Sequence, residues 1–249
     1  MQSRRLEGDD PAWHGGAMEH TTRWSLVRDA ARSGVAGRLA LEELCRAYRP
    51  AVIAYLRRGG HDRDSAEEHA QSFFLHLLER ELPAKADPAR GRFRLFLRTA
   101  LQNHVGHVRE RQQAQRRQAP GGLLGEEAFD RAGGDPREDP ERAFDLAWAL
   151  TVLERGIDKL RTECAARGQA ADFEALLPAL TDGLDAGELQ PLADKLGLRA
   201  NAVSARLHRL RLALRAAVRE ELAQTVGGPE DVEAELGHLR GLLGGRVRG

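Results

Sequence analysis

The chain has 249 residues, which is enough for one large domain or two small ones that each bury a core. Its 38 basic and 38 acidic residues cancel, so net charge alone indicates no partner. The two cysteines, Cys45 and Cys164, are far apart in sequence and sit in apolar helical patterns, which favours buried free thiols over a disulfide or a metal site. No stretch is apolar enough for a membrane span or a signal peptide, and a cytoplasmic protein is therefore expected.

The composition predicts an all-α fold, because alanine, leucine, arginine and glutamate are abundant while valine, isoleucine and aromatic residues are sparse. Residues 1–19 are polar and glycine-bearing and are predicted to be disordered. Residues 20–118 form a first predicted domain, with helical patterns at 24–31, 39–58 and 64–81 and a long helix from Phe93. Asp62 or Asp64 is predicted to cap the third of these helices.

Charge is unevenly distributed along the chain. Residues 87–117 are mostly basic, whereas residues 126–145 are mostly acidic. Residues 119–140, rich in proline, glycine and acids, are predicted to be a flexible linker. A second predicted domain spans residues 141–225, and a C-terminal extension of residues 226–249 carries a weakly amphipathic helix. The second domain begins with one apolar helical stripe: Leu146, Leu150, Leu153, Ile157 and Leu160.

A helix-turn-helix is predicted within residues 189–215. Gly197 ends a short helix, and the next helix has an apolar stripe at spacings of three and four that the short helix can cover. The stripe consists of Val203, Leu207, Leu210, Leu214 and Val218. The opposite face presents Asn201, Ser204, Ala205, His208, Arg209, Leu212 and Arg215. Residues 199–219 contain no acid to pair with the arginines, which favours contact with nucleic acid over a solvated charged face.

Three segments occur in the order "DRDSAEEHAQSFFLHLLER", "RGRFRLFLRTALQNHVGHVRERQQAQRR" and, after the linker, "ADKLGLRANAVSARLHRLRLALR". This order and spacing resembles bacterial sigma factors of the extracytoplasmic-function group in the sigma-70 family. The resemblance implies two small helical domains, no cofactor and no enzymatic activity. It implies as partners core RNA polymerase, through the clamp helices of its largest subunit, and promoter DNA; an anti-sigma factor or another regulator is a further conceivable partner.

The resemblance also assigns roles to residues. Its polymerase-docking positions are Glu68, Gln71, Phe74 and Leu78. Its candidates for the −10 promoter element are Arg90, Arg92, Asn103, His104, His107 and Arg111, whereas Phe93 and Phe96 are expected in the core. Its candidates for the −35 element are Arg199, Asn201, Ser204, Ala205, Arg206, His208 and Arg209.

The sequence departs from the family pattern at two places. The docking helix usually carries aspartate-leucine-threonine-glutamine, where this chain has Glu68-His69-Ala70-Gln71. The turn before the recognition helix usually ends in a capping serine or threonine, where this chain has Arg199. Loss of such a cap costs roughly 0.5–2 kcal/mol.

Two other functions stay open. A stand-alone helix-turn-helix regulator would normally dimerise on a palindromic site, but the sequence shows no clear dimerisation helix. A metalloenzyme is the third alternative, since His104 and His107 lie three residues apart on a helix, although no HExxH motif or cysteine cluster accompanies them.

Overall fold

The computed structural model describes residues 35–79, 92–118, 139–185, 187–226 and 228–244. Every regular element in these ranges is an α-helix, which confirms the predicted all-α class. The helices are α1 Val35–Arg58, α2 Arg63–Glu79, α3 Phe93–Gln118, α4 Pro140–Ala166, α5 Ala170–Thr181, α6 Leu189–Leu196, α7 Ala200–Ala223 and α8 Pro229–Gly244. No helix in the described ranges has the length and apolar character needed to cross a membrane. The predictions for residues 1–19, 24–31 and 119–138 lie outside these ranges.

Polar caps account for the starts of two helices. The backbone N–H of Ser65 donates to Asp62 Oδ1 at 2.8 Å, so Asp62 rather than Asp64 caps α2. Asp139 Oδ1 accepts from the N–H of Glu141 at 2.8 Å, and Pro140 occupies the first turn of α4, where its missing N–H costs nothing. The last two residues of the predicted linker therefore belong to the start of α4.

Helices α1, α2 and α3 pack around one apolar centre. Tyr48 of α1 and Phe73 of α2 are fully buried there, and Leu101 of α3 joins them. The rings of Tyr48 and Phe93 meet edge to face with centroids 5.2 Å apart. Phe93 is buried and Phe96 is half-buried, which confirms that these aromatics serve the core. Each such side chain contributes roughly 1.5–3 kcal/mol through burial.

The same centre includes helices from the other side of the predicted linker. Phe144 and Trp148 of α4 belong to this core cluster, as do Leu222 of α7 and Leu239 of α8. The most extensive helix packing in the described part of the chain joins α1 with α4. A division into two separately packed domains is therefore not confirmed, and helix α8 of the C-terminal extension packs on the shared core.

The buried face of α4 is displaced from the predicted stripe. The fully buried row runs through Phe144, Trp148 and Val152. Of the predicted stripe, Leu160 is buried, while Leu146, Leu150, Leu153 and Ile157 are half-buried on the flanks of that row. The reason is that α4 lies between α1 and α7, so it buries more than one face and a single stripe does not describe it.

Two smaller clusters surround α5, α6 and the first half of α7. Phe173 of α5 packs with Leu160 and Cys164 of α4. Leu176 of α5 packs with Val203 and Leu207 of α7 and with residues of α6. These clusters hold α6 and α7 against α5, which leaves the opposite face of α7 available.

Candidate nucleic-acid interface

A tight glycine turn joins α6 to α7. Gly197 has φ of 64°, a left-handed conformation that suits glycine because it lacks a Cβ. The N–H of Leu198 donates to Ala193 O at 2.9 Å and that of Gly197 donates to Asp194 O at 3.1 Å, which together form a Schellman motif. Arg199 then stands at the N-cap of α7 with extended backbone and makes no capping hydrogen bond through its side chain. Helix α7 therefore lacks a side-chain cap at its N-terminus, as the sequence predicts.

The two faces of the first half of α7 differ as predicted. Val203 and Leu207 are buried against α5 and α6. The residues predicted to face outward are all exposed: Asn201, Ser204, Ala205, His208, Arg209, Leu212 and Arg215. Within the described ranges, neither Arg209 nor Arg215 forms an ion pair. We call these seven residues the α7 outer face.

Other arginines of α7 have partners that sequence reasoning missed. Arg206 is half-buried and forms an ion pair with Asp172 of α5. Arg211 donates to the carbonyl oxygen of Ala179 at 3.2 Å. Residues 199–219 contain no acid, but this does not leave every arginine of α7 unpaired. Helix α5 supplies the acceptor oxygens for Arg206 and Arg211. Arg206 is better explained as a link between α5 and α7 than as a free contact residue.

The candidates for the −10 element do not share one surface. Asn103, His107 and Arg111 are exposed at spacings of four along α3 and therefore lie on one face. Arg90 lies outside the described ranges. Arg92 is engaged by acidic residues of α8, and His104 is buried.

The assignment of His104 to DNA contact is corrected by its burial. Its ring packs near His76 and Phe73 of α2, with centroid distances of 5.2 and 5.6 Å. Its Nε2 has no hydrogen-bond partner in the described part of the chain. Desolvation and the neighbouring histidines lower the pKa of His104 to about 4, so it is a neutral core residue at physiological pH.

Helix α2 presents part of the predicted docking surface. Glu68 and Gln71 are exposed, whereas Phe74 is half-buried and the side chain of Leu78 is not described. Leu75, which was not predicted, is 57% exposed and lies one turn from Gln71 on the same face. Its position opposite the buried Phe73 is the periodic signal that would have identified it.

A buried group of charges joins α3, α4 and α8. Arg94 of α3 is 2% exposed, Asp145 of α4 is 5% exposed and Glu235 of α8 is 1% exposed. The guanidinium of Arg94 binds Glu235 through two parallel hydrogen bonds of 3.0 Å and also pairs with Asp145. It lies 4.9 Å from the ring centroid of Trp148. We call these three charged residues the Arg94 cluster.

Burial tends to lower the pKa of Arg94, but hydrogen bonds and charge from Glu235 and Asp145 outweigh burial and raise it. The guanidinium is therefore permanently charged and fully paired. The sequence signal for such a cluster is a charged residue directly beside a residue of the apolar core. Arg94 follows Phe93, and Glu235 precedes Leu236. Sequence spacing could not reveal their pairing, because Arg94 and Glu235 are 141 residues apart.

Further charges surround the Arg94 cluster. Arg92 Nη1 donates to Glu235 Oε1 at 2.8 Å, and its Nε lies 3.7 Å from Asp231 Oδ1. Arg98 Nη1 donates to Asp145 Oδ2 at 2.9 Å. His238 Nε2 lies 3.2 Å from the same oxygen. Arginines of the segment predicted to hold DNA are thus neutralised by acids of the chain itself.

The described ranges contain no group of three or more histidine, cysteine, aspartate or glutamate side chains arranged to bind a metal ion. Cys164 is buried and Cys45 is half-buried, and both are free. Burial raises the pKa of the Cys45 thiol to about 11 and also raises that of Cys164, which makes both poor nucleophiles at neutral pH. The comparisons with known proteins show no match to any family model, curated protein or solved structure.

Proposed function

We propose that this protein is a sigma factor of the extracytoplasmic-function type, which binds core RNA polymerase and directs it to promoters without catalysing a reaction itself. The observation that carries the proposal is the α7 outer face, an exposed and acid-free helical surface that follows the tight turn at Gly197. The order of the three segments in the sequence adds to it. In this proposal α6 and α7 are the helix-turn-helix, and α7 reads the −35 element.

The chemistry of α7 suits a helix in a major groove. Ser204 and Ala205 are small and exposed near its start, which permits close approach to base edges. Asn201 has the amide that pairs bidentately with adenine, and Arg209 has the guanidinium that pairs with guanine or a phosphate. Arg199 extends from the turn and would reach a phosphate. Arg206 has a lesser role, because it already pairs with Asp172.

Single substitutions at Arg209 test the role of α7. We expect Arg209→Ala to weaken binding to a promoter selected from a random-sequence library, with Arg142→Ala as a control for an exposed arginine on α4. A loss of roughly 1–3 kcal/mol confined to the selected sequence marks base recognition. A uniform loss for all sequences, with the salt slope reduced by about 1, marks a phosphate contact. Equal binding of the Arg209→Ala and control proteins would rule out both.

Docking on polymerase is assigned to the exposed face of α2. Leu75 and Leu39 are both exposed leucines, at 57% and 61%, but only Leu75 shares the face of Glu68 and Gln71. We expect Leu75→Ala to weaken co-purification with core polymerase and Leu39→Ala to leave it unchanged. Equal effects of the two substitutions would remove α2 from the proposal.

Run-off transcription with purified core polymerase decides between the proposal and its alternative. A sigma factor produces a specific transcript only when both the protein and core are present. A stand-alone helix-turn-helix regulator would bind the selected DNA but would not confer promoter-specific initiation on core. Specific DNA binding without a transcript would therefore favour the regulator.

A further inference from the structure

Helix α8 lies against the segment of α3 that is predicted to hold DNA. Within the described ranges, both ion-pair partners of the Arg92 side chain are on α8, namely Glu235 at 2.8 Å and Asp231 at 3.7 Å. Glu235 simultaneously holds Arg94 through two hydrogen bonds. One buried carboxylate thus binds two arginines of the segment "RGRFRLFLR" at once.

Apolar and main-chain contacts keep α8 in this position. Leu236, Leu239 and Leu242 are buried in the shared core, so α8 is anchored independently of its charges. The first amide of α3, the N–H of Phe93, donates to the carbonyl oxygen of Thr225 at 3.1 Å, just before α8 begins. The backbone at the start of α3 is therefore bound to the connection between α7 and α8, while its arginines are bound to α8 itself.

A carboxylate and a phosphate are competing ligands for an arginine. Both offer two oxygens in the geometry that a guanidinium fork matches, and the hydrogen bonds are charge-assisted in both cases. The contacts to Glu235 are shielded from water, which strengthens them relative to an exposed surface pair. A nucleic acid that approaches the start of α3 therefore competes with Glu235 for the guanidinium of Arg92, whose side chain is 25% exposed.

From this geometry we infer that α8 is an internal clamp, in which Glu235 occupies Arg92 and closes the start of α3 to nucleic acid until α8 is displaced. The inference rests on the proposed function, because it takes Arg92 as a DNA contact. It assigns a role to the C-terminal extension, in which Glu235 inhibits DNA binding and the apolar row of α8 anchors the helix.

The first test replaces Glu235 and uses Glu233 as the matched control. Glu233 is on the same helix but forms an exposed ion pair with Arg219 at 2.6 Å, away from Arg92. Binding is measured to a fluorescein-labelled duplex with a single-stranded overhang of mixed sequence. We expect Glu235→Gln to lower the Kd about tenfold, the effect of one charge-assisted contact, and Glu233→Gln to leave it unchanged.

Hydrogen exchange reports the clamp without DNA. The Phe93 amide donates across to Thr225, so its exchange should be faster in Glu235→Gln than in the wild type or Glu233→Gln. Unchanged exchange together with an unchanged Kd would overturn the inference.

A second variant removes the risk that Glu235→Gln folds poorly. Asp231→Asn leaves the buried Arg94 cluster intact and removes the other carboxylate beside Arg92, since the Asp231 side chain is 39% exposed. We expect Asp231→Asn to lower the Kd for the labelled DNA, but by less than Glu235→Gln does, because Asp231 lies 3.7 Å from Arg92 whereas Glu235 lies 2.8 Å from it. An unchanged Kd for both variants would contradict the clamp.

The outcomes separate this inference from the proposed function. If the wild type directs run-off transcription but neither Glu235→Gln nor Asp231→Asn changes DNA binding, the clamp is wrong and the proposed function stands. If no form binds DNA or polymerase, the proposed function is wrong and the inhibitory role falls with it. The exchange of the Phe93 amide then still decides whether Glu235 holds α3.

Discussion

A buried guanidinium at Arg94 is tolerated because its environment satisfies it almost completely. Glu235 and Asp145 supply three acceptor oxygens, and Trp148 offers an aromatic face. A buried ion pair of this kind adds little net stability compared with an apolar replacement of the whole group. Loss of Arg94 is costly, however, because Glu235 and Asp145 then lose the cation that contacts both of them and keep the partly exposed Arg92 and Arg98. The Arg94 cluster thus makes the packing of α3 against α4 and α8 specific.

Replacement of Arg94 by methionine tests this asymmetry. We expect Arg94→Met to destabilise the protein by about 3–5 kcal/mol, because Glu235 and Asp145 lose their principal cation while they remain buried. Arg142→Met, at an exposed position of α4, should change stability by about 0.5 kcal/mol or less. Urea denaturation measures both values. A loss below about 1 kcal/mol for Arg94→Met would show that water reaches the cluster.

His104 is a buried base whose protonation opposes folding. Its pKa is lowered from 6.5 to about 4 by desolvation first and then by His76 and His69 of α2 and by His107 and Arg111 of α3. The folded state therefore favours the neutral ring, while the unfolded chain takes up a proton below pH 6.5. Stability should be complete above pH 6.5, fall as the pH decreases and reach its floor near pH 4.

The substitution His104→Phe removes this titration. We expect the wild type to lose up to about 3 kcal/mol more than the variant between pH 7 and pH 4. His208→Phe is the control, since His208 is exposed on α7 and is not among the groups that lower the pKa of His104. Urea denaturation at a series of pH values provides the comparison. Parallel curves for the wild type and His104→Phe would place the acid sensitivity elsewhere.

At the scale of elements, the sequence predicts α7 best. Its spacing predicts which residues are buried and which are exposed, because one face packs on α5 and α6 and the other faces away. Predictions about charge were less complete. The partner of Arg206 is Asp172, which lies 34 residues earlier on α5, and no pattern within α7 could reveal it. Local periodicity thus identifies a face, whereas ion pairs between helices depend on tertiary packing.

For helix α4, in contrast, the sequence does not predict which helices pack against it. Gly156 lets α7 approach closely, because a Cβ at that position would lie 3.1 Å from Val218 Cγ2 and 3.3 Å from Leu214 Cδ1. The apolar leucines of α4 predict a helix correctly, but they do not predict that α1 and α7 cover different faces of it. Gly156 is the local feature of α4 that permits this approach, but Gly106 of α3 has no close neighbour, so a glycine within a helix does not by itself predict a packed partner.

The turn between α6 and α7 gives a test of a predicted local feature. Gly197→Ala should cost about 1 kcal/mol, because φ of 64° is strained for alanine even though a Cβ there would meet nothing within 4 Å. Gly106→Ala, within α3 and also without a close neighbour, should stabilise the protein by roughly 0.5–1 kcal/mol. Thermal or urea denaturation separates the two signs. A neutral Gly197→Ala would mean that the turn readily changes conformation.

At the scale of the molecule, one core joins helices from both predicted domains. Leu56 of α1, Phe73 of α2, Trp148 of α4, Leu222 of α7 and Leu239 of α8 belong to the same buried cluster. The composition of residues 119–140 predicted a domain boundary there. Composition carries no information about which helices before and after that segment pack together. Apolar side chains of α1 and α4 are mutually compatible without any local sign that they meet. Domain organisation therefore had to come from the structure.

Shared burial predicts cooperative unfolding. When α1 separates from α4, Trp148 and its neighbours lose their cover, so the first and second halves cannot unfold independently without exposing the same core. We expect differential scanning calorimetry of the full chain to show one transition, with a calorimetric enthalpy close to the van't Hoff enthalpy.

Glu235→Gln should shift that transition to lower temperature without splitting it, because α1 and α4 remain packed. Glu233→Gln should leave it in place, since only an exposed ion pair is lost. Two separated transitions in the wild type would instead support independent domains and would show that the packing of α1 on α4 contributes little free energy.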